Sequence, residues 1–192
     1  VPVVHSYGLA ALLASTASGA PVTLGDVTSS SALLEEVAEH TTVLFGTPLL
    51  YRLASAMWGA RPRPRRLRIL LSAGAPVPPT VARSTRETLG VPVRQIYGTT
   101  EAGLIACVPA ACEDWPAGSV GRFVDGITTS RASDGSLTVA GPGVFRGYAG
   151  DPDRPAGSGW ATGDVVDVGD GGFVTVAERA DTVVKVGGRR VA

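Results

Sequence analysis

The segment QIYGTTEAG, Gln95 to Gly103, follows the strand-like run VPVR and ends in glycine, two threonines and a carboxylate, which are unusual residues at the end of a strand. The adjacent Thr99 and Thr100 are poor helix formers unless a side-chain oxygen caps a backbone group. Glu101 would be costly to bury without a partner. The segment therefore predicts either an ordinary turn or a ligand site at the end of a strand.

The chain before this segment alternates short apolar runs with stretches of helical spacing. Such alternation predicts parallel strands with helices packed on the faces of the sheet, and ligands in such sheets bind beyond the carboxyl ends of the strands. The predicted strands are VPVV, PVTL, TTVLFG, LRILLS and VPVRQIY, and the predicted helices are GLAALLASTAS, ALLEEVAEH, PLLYRLASAMW and PPTVARSTRETLG.

The sequence pattern changes at about Gly118. From there the apolar segments are short, and glycine, aspartate and proline separate them. Asp134-Gly135 and the DGG at 170–172 lie between strand-like runs, which is a strong hairpin signal. We therefore predict an α/β fold, a parallel sheet with packed helices followed by a small antiparallel β-barrel-like subdomain. The predicted boundaries are 1–117, 118–180 and 181–192.

Composition and charge exclude several classes of protein. The chain has 192 residues, of which 44% are hydrophobic and 18% charged, so it can bury a core and is not disordered. Seventeen basic and seventeen acidic residues give a formal net charge of zero, which argues against a nucleic-acid partner. RPRPRRLR, Arg61 to Arg68, is either a phosphate or RNA patch or a solvated loop before a strand, and the zero net charge favours the loop.

Three features of the sequence indicate where the protein is located in the cell and whether the chain is part of a longer protein. They are the cysteine count, the hydropathy and the first residue. Cys107 and Cys112 have no nearby histidine or further cysteine to complete a zinc set, which favours two thiols in a reducing compartment over a disulfide. No apolar run reaches the ~20 residues of a membrane helix, and Val1 to Leu13 lacks the basic leader of a signal peptide. We expect a cytoplasmic protein without a membrane span. Because the chain begins with Val inside a strand-like run, we expect it to be part of a longer polypeptide.

Two neighbouring strands end in small, backbone-rich turns, AGAP at 73–76 and GTTE at 98–101. Gly74 would let the backbone approach a flat ligand, and Tyr97 could stack on a ring. Thr100 could donate to a phosphate, and Glu101 offers the hard oxygen that Mg²⁺ prefers beside phosphates. The alternative is that these residues only form turns and that Glu101 is solvated.

Five motifs in a fixed order resemble those of the adenylate-forming superfamily, which comprises acyl- and aryl-CoA synthetases, non-ribosomal adenylation domains and firefly luciferase. YGTTEAG is similar to the family signature YGxTE, and SAGAP precedes it as in the family. The other three are PVVHSYGL (Pro2 to Leu9), SLTVAGPGVFRGYAGDP (Ser136 to Pro152) and GWATGDVVDVGDGGFVTVAERADTVVKVGGRRV (Gly159 to Val191). The resemblance extends over nearly the whole chain.

The resemblance implies a nucleotide site. It implies that Tyr97 stacks on adenine, that Thr100 contacts the α-phosphate and that Glu101 holds Mg²⁺. Asp164 in TGD would bind both ribose hydroxyls, which suits a carboxylate that can accept two hydrogen bonds from a cis-diol. Alternatively, Asp164 is a turn residue and Arg179 forms only a surface salt bridge, which would be worth little. The other residues implied to contact the nucleotide are Gly74, Ala75, Pro76, Gly98, Thr99 and Arg179.

The resemblance also implies a substrate pocket and a hinge. Asp181 matches the hinge at which a small lid domain rotates between two half-reactions, and Lys185 with the following Gly187-Gly188 matches the loop that enters for the second. The implied catalytic residues are Thr100, Glu101 and Lys185, and the implied acyl-pocket residues are His5, Gly98 and Gly103. The alternatives are that His5 is a core residue or a helix cap, and that Lys185 is solvated in a Gly-rich hairpin.

The chain departs from the family pattern in four ways. Glu178 replaces the glycine before the motif's arginine, and Ala161 replaces the aromatic of GWF.TGD. No TSGTTGxPK phosphate loop is present, since this motif precedes PVVHSYGL in the family, and the acyl-activating lysine would follow Ala192. We therefore expect the middle of such an enzyme: a partial nucleotide- and acyl-binding subdomain (1–117), a β subdomain (118–180), and the hinge with the start of a lid (181–192). We expect the isolated chain to bind nucleotide weakly and to turn over negligibly.

The implied reaction is ATP-dependent activation of a small-molecule carboxylic acid. The acid attacks the α-phosphate to give an acyl-adenylate and pyrophosphate, with Mg²⁺, and a thiol of CoA or of carrier-protein pantetheine then displaces AMP. HSYGL and GSVGR (Gly118 to Arg122) are typical of the acyl- or aryl-CoA ligases. The alternatives are a non-catalytic nucleotide- or acyl-binding partner and part of a non-ribosomal adenylation domain. An α/β-hydrolase is excluded because no GxSxG nucleophile turn exists.

Overall fold

The structure, a computed structural model, describes residues 1–25, 30–150, 159–179, 184–186 and 189–191, and gives only the backbone at 30, 178, 184–186 and 189–191. Its contacts divide the chain into two compact units, Val1–Gln95 and Ile96–Ala192. This division lies earlier in the chain than the predicted boundary after residue 117, which stays a prediction.

Four helices occur in the described part of the first unit, close to where the sequence predicts them. Proline at the first position starts α3, and the Oγ1 of Thr47 accepts a hydrogen bond from the backbone N–H of Leu50, at 3.4 Å. Gly90 ends α4 with a φ of 78°, a left-handed conformation that favours glycine. The helices are α1 (Ser6–Ala17), α2 (Ser30–Glu39), α3 (Pro48–Met57) and α4 (Pro79–Leu89).

Three parallel strands form the sheet of the first unit: β1 (Val43–Gly46), β2 (Ile69–Ser72) and the start of β3 (Val93–Thr99). Helices α2, α3 and α4 pack apolar residues into the core of this unit, and α3 buries Tyr51 and Ala54 at helical spacing. The largest fully buried side chains of this core are Tyr51, Trp58, Leu70 and Leu89. The predicted parallel sheet with packed helices is therefore confirmed.

The predictions of strands at VPVV (1–4) and PVTL (21–24) were wrong. Neither segment is a strand, and neither pairs with another among the described residues. Each contains a proline, Pro2 or Pro21, which lacks the N–H that a ladder requires. Val4 is almost fully exposed, so its segment also lacks a buried face. Apolar composition alone therefore does not make a strand here.

The arginine-rich segment 61–68 is a loop between α3 and β2, as its proline content favours. The guanidinium of Arg61 donates to the carbonyl oxygens of Met57 (3.2 Å) and Trp58 (3.0 Å), at the end of α3. Arg63 donates to the Glu87 carbonyl oxygen in the last turn of α4, at 2.9 Å. At least two of the five arginines therefore bind helix C-termini, where a positive charge is stabilising.

The second unit begins with an antiparallel pair that the sequence analysis did not predict. From Ile96 onward β3 pairs with β4 (Gly103–Cys107), and β4 pairs with the short strand β5 (Arg122–Phe123). Ile105 and Ala106 on β4 are fully buried in the core of this unit.

The described cysteines, Cys107 and Cys112, are free thiols, which agrees with the interpretation that they form no disulfide.

Small antiparallel sheets make up the rest of the second unit, in agreement with the predicted fold class. Strands β6 (Thr128–Arg131), β7 (Leu137–Ala140) and β8 (Trp160–Ala161) form one sheet, and β9 (Asp164–Val168) pairs with β10 (Val174–Arg179). The predicted hairpins at Asp134-Gly135 and at 170–172 are both confirmed, since they connect β6 to β7 and β9 to β10. Two further short strands, β11 (Val184–Val186) and β12 (Arg189–Val191), pair with each other.

Ser119 joins two segments of the second unit through a fully buried hydroxyl. Its Oγ donates to the Val174 carbonyl oxygen at 2.9 Å and accepts from the Gly121 backbone N–H at 3.0 Å. Gly121 and Val174 also form an isolated antiparallel bridge.

None of the helices that the structure describes is long and apolar enough to cross a membrane.

We expect Ser119→Ala to lower the free energy of unfolding by about 1–3 kcal/mol, because it leaves a buried N–H and a carbonyl without this partner. The measurement is a urea titration of the purified full-length protein. Ser130→Ala is the matched control, since Ser130 is exposed on β6, and its change should stay within about 0.5 kcal/mol. Equal losses in the two variants would contradict the role given to Ser119.

Candidate functional site

The segment QIYGTTEAG is a β-hairpin in the structure. Strand β3 continues through Thr99, a turn covers residues 100–102, and β4 begins at Gly103. The Oγ1 of Thr99 accepts a hydrogen bond from the backbone N–H of Ala102 at 3.0 Å, so one threonine stabilises the turn. The hairpin exposes Gly98, Thr100 and Gly103, and leaves the Glu101 side chain half-buried.

Close backbone packing explains the glycines of this hairpin. The register shifts between Tyr97 and Gly98, which marks an irregularity of the bulge type. A Cβ on Gly98 would clash with the carbonyl oxygen of Gly103. Gly103 itself has a φ of 68°, in the left-handed region. The predicted acyl-pocket glycines are therefore also required by the hairpin.

A hydrogen-bonded network links three of the predicted nucleotide-binding residues. The Tyr97 hydroxyl donates to Oδ2 of Asp164 at 2.7 Å, and Nη1 of Arg179 contacts Oδ1 of the same carboxylate at 2.8 Å. Asp164 is the first residue of β9 and pairs across the ladder with Arg179, the last residue of β10. The Asp164 side chain is 9% exposed and that of Arg179 is 25% exposed, so the ion pair is mostly withdrawn from water.

Thr162 supports this network and was not predicted as a site residue. Its Oγ1 accepts from the backbone N–H of Asp164 at 3.1 Å and donates to the Leu137 carbonyl oxygen at 2.9 Å. The threonine therefore fixes the start of β9 against β7. Thr162 is the threonine of the TGD motif, so the motif itself is the signal that could have indicated its role beside the aspartate.

Burial controls the ionisation of the tyrosine in this network. It raises the pKa of Tyr97 well above the usual range of a phenol, and the negative charge of Asp164 acts in the same direction. Tyr97 is therefore a hydrogen-bond donor at neutral pH. A carboxylate can accept about four hydrogen bonds, so the contacts from Tyr97 and Arg179 leave Asp164 capacity for further donors, such as hydroxyl groups of a ligand.

Glu101 has a partner from a distant part of the chain. The hydroxyl of Tyr148 donates to its Oε1 at 2.8 Å, and the backbone N–H of Phe145 donates to the Glu101 carbonyl oxygen at 2.7 Å. The described residues contain no group of three or more His, Cys, Asp or Glu that could hold a metal ion by themselves. A single carboxylate fits Mg²⁺, however, because this ion is commonly held by one or two carboxylates and phosphate oxygens.

The remaining predicted site residues of the first unit lie in two places. Gly74 has a φ of 89° in the turn after β2, and Ala75 and Pro76 follow it. The backbone N–H of Val77, next along the chain, donates to the Gln95 side chain at 2.7 Å. His5 caps α1, since its Nδ1 accepts from the backbone N–H of Tyr7 at 3.4 Å, which agrees with the reading of His5 as a helix cap.

Several predicted residues lie at the edge of what the structure describes. Asp181 and Gly187-Gly188 fall outside the described residues, and Lys185 is described only as backbone, in β11. The departure at Glu178 coincides with a shift in the β9–β10 register between Val176 and Glu178. Arg179 still reaches Asp164 after this shift, so Glu178 does not prevent the contact.

Comparison with known proteins agrees with the motif order. The family model described as AMP-binding enzyme matches residues 1–149. A feruloyl-CoA synthase of Amycolatopsis sp is 31% identical over 212 residues, covering 99% of this chain and 42% of that protein. The p-hydroxybenzoic acid–AMP ligase FadD22 of Mycobacterium tuberculosis is 30% identical over 190 residues, covering 92% of this chain and 26% of that protein.

Solved structures show the same relationship. A malonyl-CoA ligase in a ternary product complex with methylmalonyl-CoA and AMP superposes with a TM-score of 0.82 and 25% identity, covering 99% of this chain and 45% of that one. The chain thus spans less than half the length of each of these three proteins. Because the family model covers more than half of the residues, from the first motif to the GY motif, the chain belongs to the AMP-binding enzyme family.

Proposed function

We propose that the protein activates a carboxylic acid with ATP, through an acyl-adenylate, and then transfers the acyl group to CoA or another thiol. The observation that carries this proposal is the network of Tyr97, Asp164 and Arg179, in which a buried carboxylate retains acceptor capacity beside an aromatic ring. Family membership supports the proposal, because the relatives named above are acid–CoA or acid–AMP ligases.

In this proposal Asp164 binds the two ribose hydroxyls and Tyr97 stacks on the adenine. A cis-diol presents two donors at the spacing of a carboxylate, and a charge-assisted hydrogen bond is about twice as strong as a neutral one. Arg179 offsets the charge of the buried carboxylate and fixes its orientation. Because the Tyr97 hydroxyl donates to the same group, its ring is held in a defined plane before a ligand arrives.

The hairpin turn is proposed to bind the phosphates. Thr100 would contact the α-phosphate and Glu101 would hold Mg²⁺, whose charge would offset that of the phosphate oxygens when the carboxylate of the acid attacks and pyrophosphate leaves. Gly74, Ala75 and Pro76 line the adenine, together with Gly98 and Thr99 of the nucleotide-binding turn. These assignments rest on the motif resemblance, and the exposure of Thr100 and the half-burial of Glu101 are compatible with them.

The acid and the acceptor are proposed only as classes. His5, Gly98 and Gly103 line the acyl pocket, and Lys185 belongs to the loop that enters for thioester formation. Relatives named for ferulate and for p-hydroxybenzoate support an aromatic or other acyl substrate. The methylmalonyl-CoA complex of a structural neighbour supports CoA as the acceptor, and carrier-protein pantetheine is the other thiol of this class.

The experiment that tests this function is pyrophosphate exchange into ATP by the full-length protein, with a panel of fatty, aromatic and dicarboxylic acids. We expect at least one acid to stimulate exchange, because adenylate formation is reversible and releases pyrophosphate. Thioester formation is then followed with CoA and with a pantetheinylated carrier protein. Nucleotide binding without exchange for any acid would instead favour a non-catalytic binding partner.

We expect Asp164→Ala to raise the ATP concentration needed for half-maximal exchange by about one to two orders of magnitude. The reason is that hydrogen bonds to a charged group are worth about 1.5–3 kcal/mol. Asp167→Ala is the matched control, since Asp167 is an exposed aspartate on the same strand. An unchanged ATP dependence in a folded Asp164→Ala protein would refute the ribose assignment.

We expect Asp181→Pro to spare adenylate formation and to block thioester formation, if Asp181 is the hinge, because proline fixes φ and prevents rotation. Single-turnover assays of the two half-reactions measure this directly. Asp181→Ala removes the same carboxylate while leaving the backbone free, so it should retain both half-reactions. Equal loss of both half-reactions in Asp181→Pro would count against a hinge at this residue.

A further inference from the structure

The loop 141–148 packs directly on the hairpin turn 100–103 within the second unit. A Cβ on Gly143 would lie 3.2 Å from the Ala102 carbonyl oxygen, so the two backbones are in close approach. The hydrogen bond from the Phe145 N–H to the Glu101 carbonyl oxygen, at 2.7 Å, joins them again. The backbone on which Glu101 sits is therefore held by this loop.

The same loop also holds the Glu101 side chain. The Tyr148 hydroxyl lies 2.8 Å from Oε1 of Glu101, although the two residues are 47 positions apart in the chain. Tyr148 is 52% exposed, so its contact with a carboxylate is not a consequence of deep burial. A hydrogen bond from a hydroxyl to an ionised carboxylate is short and comparatively strong, and this one confines a side chain that otherwise has several rotamers.

Aromatic packing fixes the position of the Tyr148 ring. Its centroid lies 4.9 Å from that of Phe145 and 6.3 Å from that of Trp160, both in edge-to-face geometry. Phe145 and Trp160 contact each other in the same way at 5.1 Å. Edge-to-face pairs of this kind are favourable beyond the area that they bury, so they restrict the orientation of the phenol ring. The hydroxyl thus reaches Glu101 from a ring that is itself held in place.

We propose that Tyr148 is a positioning residue that orients the Glu101 carboxylate for the metal of a metal–nucleotide complex. The inference rests on the proposed function, in which Glu101 holds Mg²⁺. Tyr148 occupies one acceptor site of Oε1, and the carboxylate retains capacity to coordinate an ion. Carboxylate ligands of metals are themselves hydrogen-bonded in this way, and loss of such a partner typically costs 10–100-fold in metal affinity or activity.

The test is calorimetric titration of the full-length protein with α,β-methylene-ATP, a non-reacting nucleotide, once with Mg²⁺ and once with EDTA. We expect Tyr148→Phe to weaken binding of the magnesium complex by about tenfold and to leave binding of the metal-free nucleotide within about twofold of the wild type. Phenylalanine retains the ring contacts with Phe145 and Trp160, and a thermal unfolding curve verifies that the variant is folded. This readout requires no turnover and no knowledge of the acid.

Two further variants sharpen the test. Glu101→Gln should lose the same metal-specific affinity, and the double variant should lose little more, since the two residues act as one unit. Tyr7→Phe is the matched control, because it removes a tyrosine hydroxyl that donates to the Leu71 carbonyl oxygen in the first unit. It should leave the difference between the two titrations unchanged.

Three results would overturn the inference. Tyr148→Phe could bind the magnesium complex as tightly as the wild type, or lose both forms of the nucleotide equally, or show a loss that adds fully to that of Glu101→Gln. In each of these the wild type still binds the nucleotide, so the proposed function stands. A wild type that binds neither form would overturn the proposed function and this inference with it.

Discussion

The buried carboxylate of Asp164 links separate strands of the second unit through its hydrogen bonds. A carboxylate withdrawn from water is tolerated only where hydrogen bonds and an opposite charge compensate it. Tyr97 from β3 and Arg179 from β10 provide that compensation, and Thr162 fixes the backbone of the aspartate itself. The strands must therefore keep the register that brings these groups together, so folding and the ribose binding that we propose depend on the same carboxylate.

The regular part of the fold was predictable from the sequence because local rules apply there. Helices α3 and α4 begin at prolines, Gly90 ends α4, and the Asp134-Gly135 hairpin follows from turn chemistry. The errors fall where pairing is not local. VPVV and PVTL have the composition of strands but pair with no strand among the described residues. Strand β4 was not predicted because its pairing with β3 depends on the chain folding back after the turn at 100–102.

For the candidate site, the sequence predicted which residues take part but not the hydrogen bonds between them. Motif resemblance named Tyr97, Asp164 and Arg179, but no pattern in the sequence indicates that the first would donate to the second. The contact between Tyr148 and Glu101 is of the same kind, since it depends on how a loop folds back over 47 residues. Sequence reasoning identifies the chemical types at a site, whereas the hydrogen bonds among them arise from tertiary structure.

The hairpin glycines carry a consequence for how substrate preference can vary. Because the α-carbon of Gly98 faces the carbonyl of Gly103 at a distance that admits no side chain, position 98 cannot be altered without rebuilding the turn. If Gly98 lines the acid pocket as we propose, that pocket can be varied only at other positions that have open space. A library designed to change the proposed acid preference should therefore keep Gly98 unchanged and vary the residues around it.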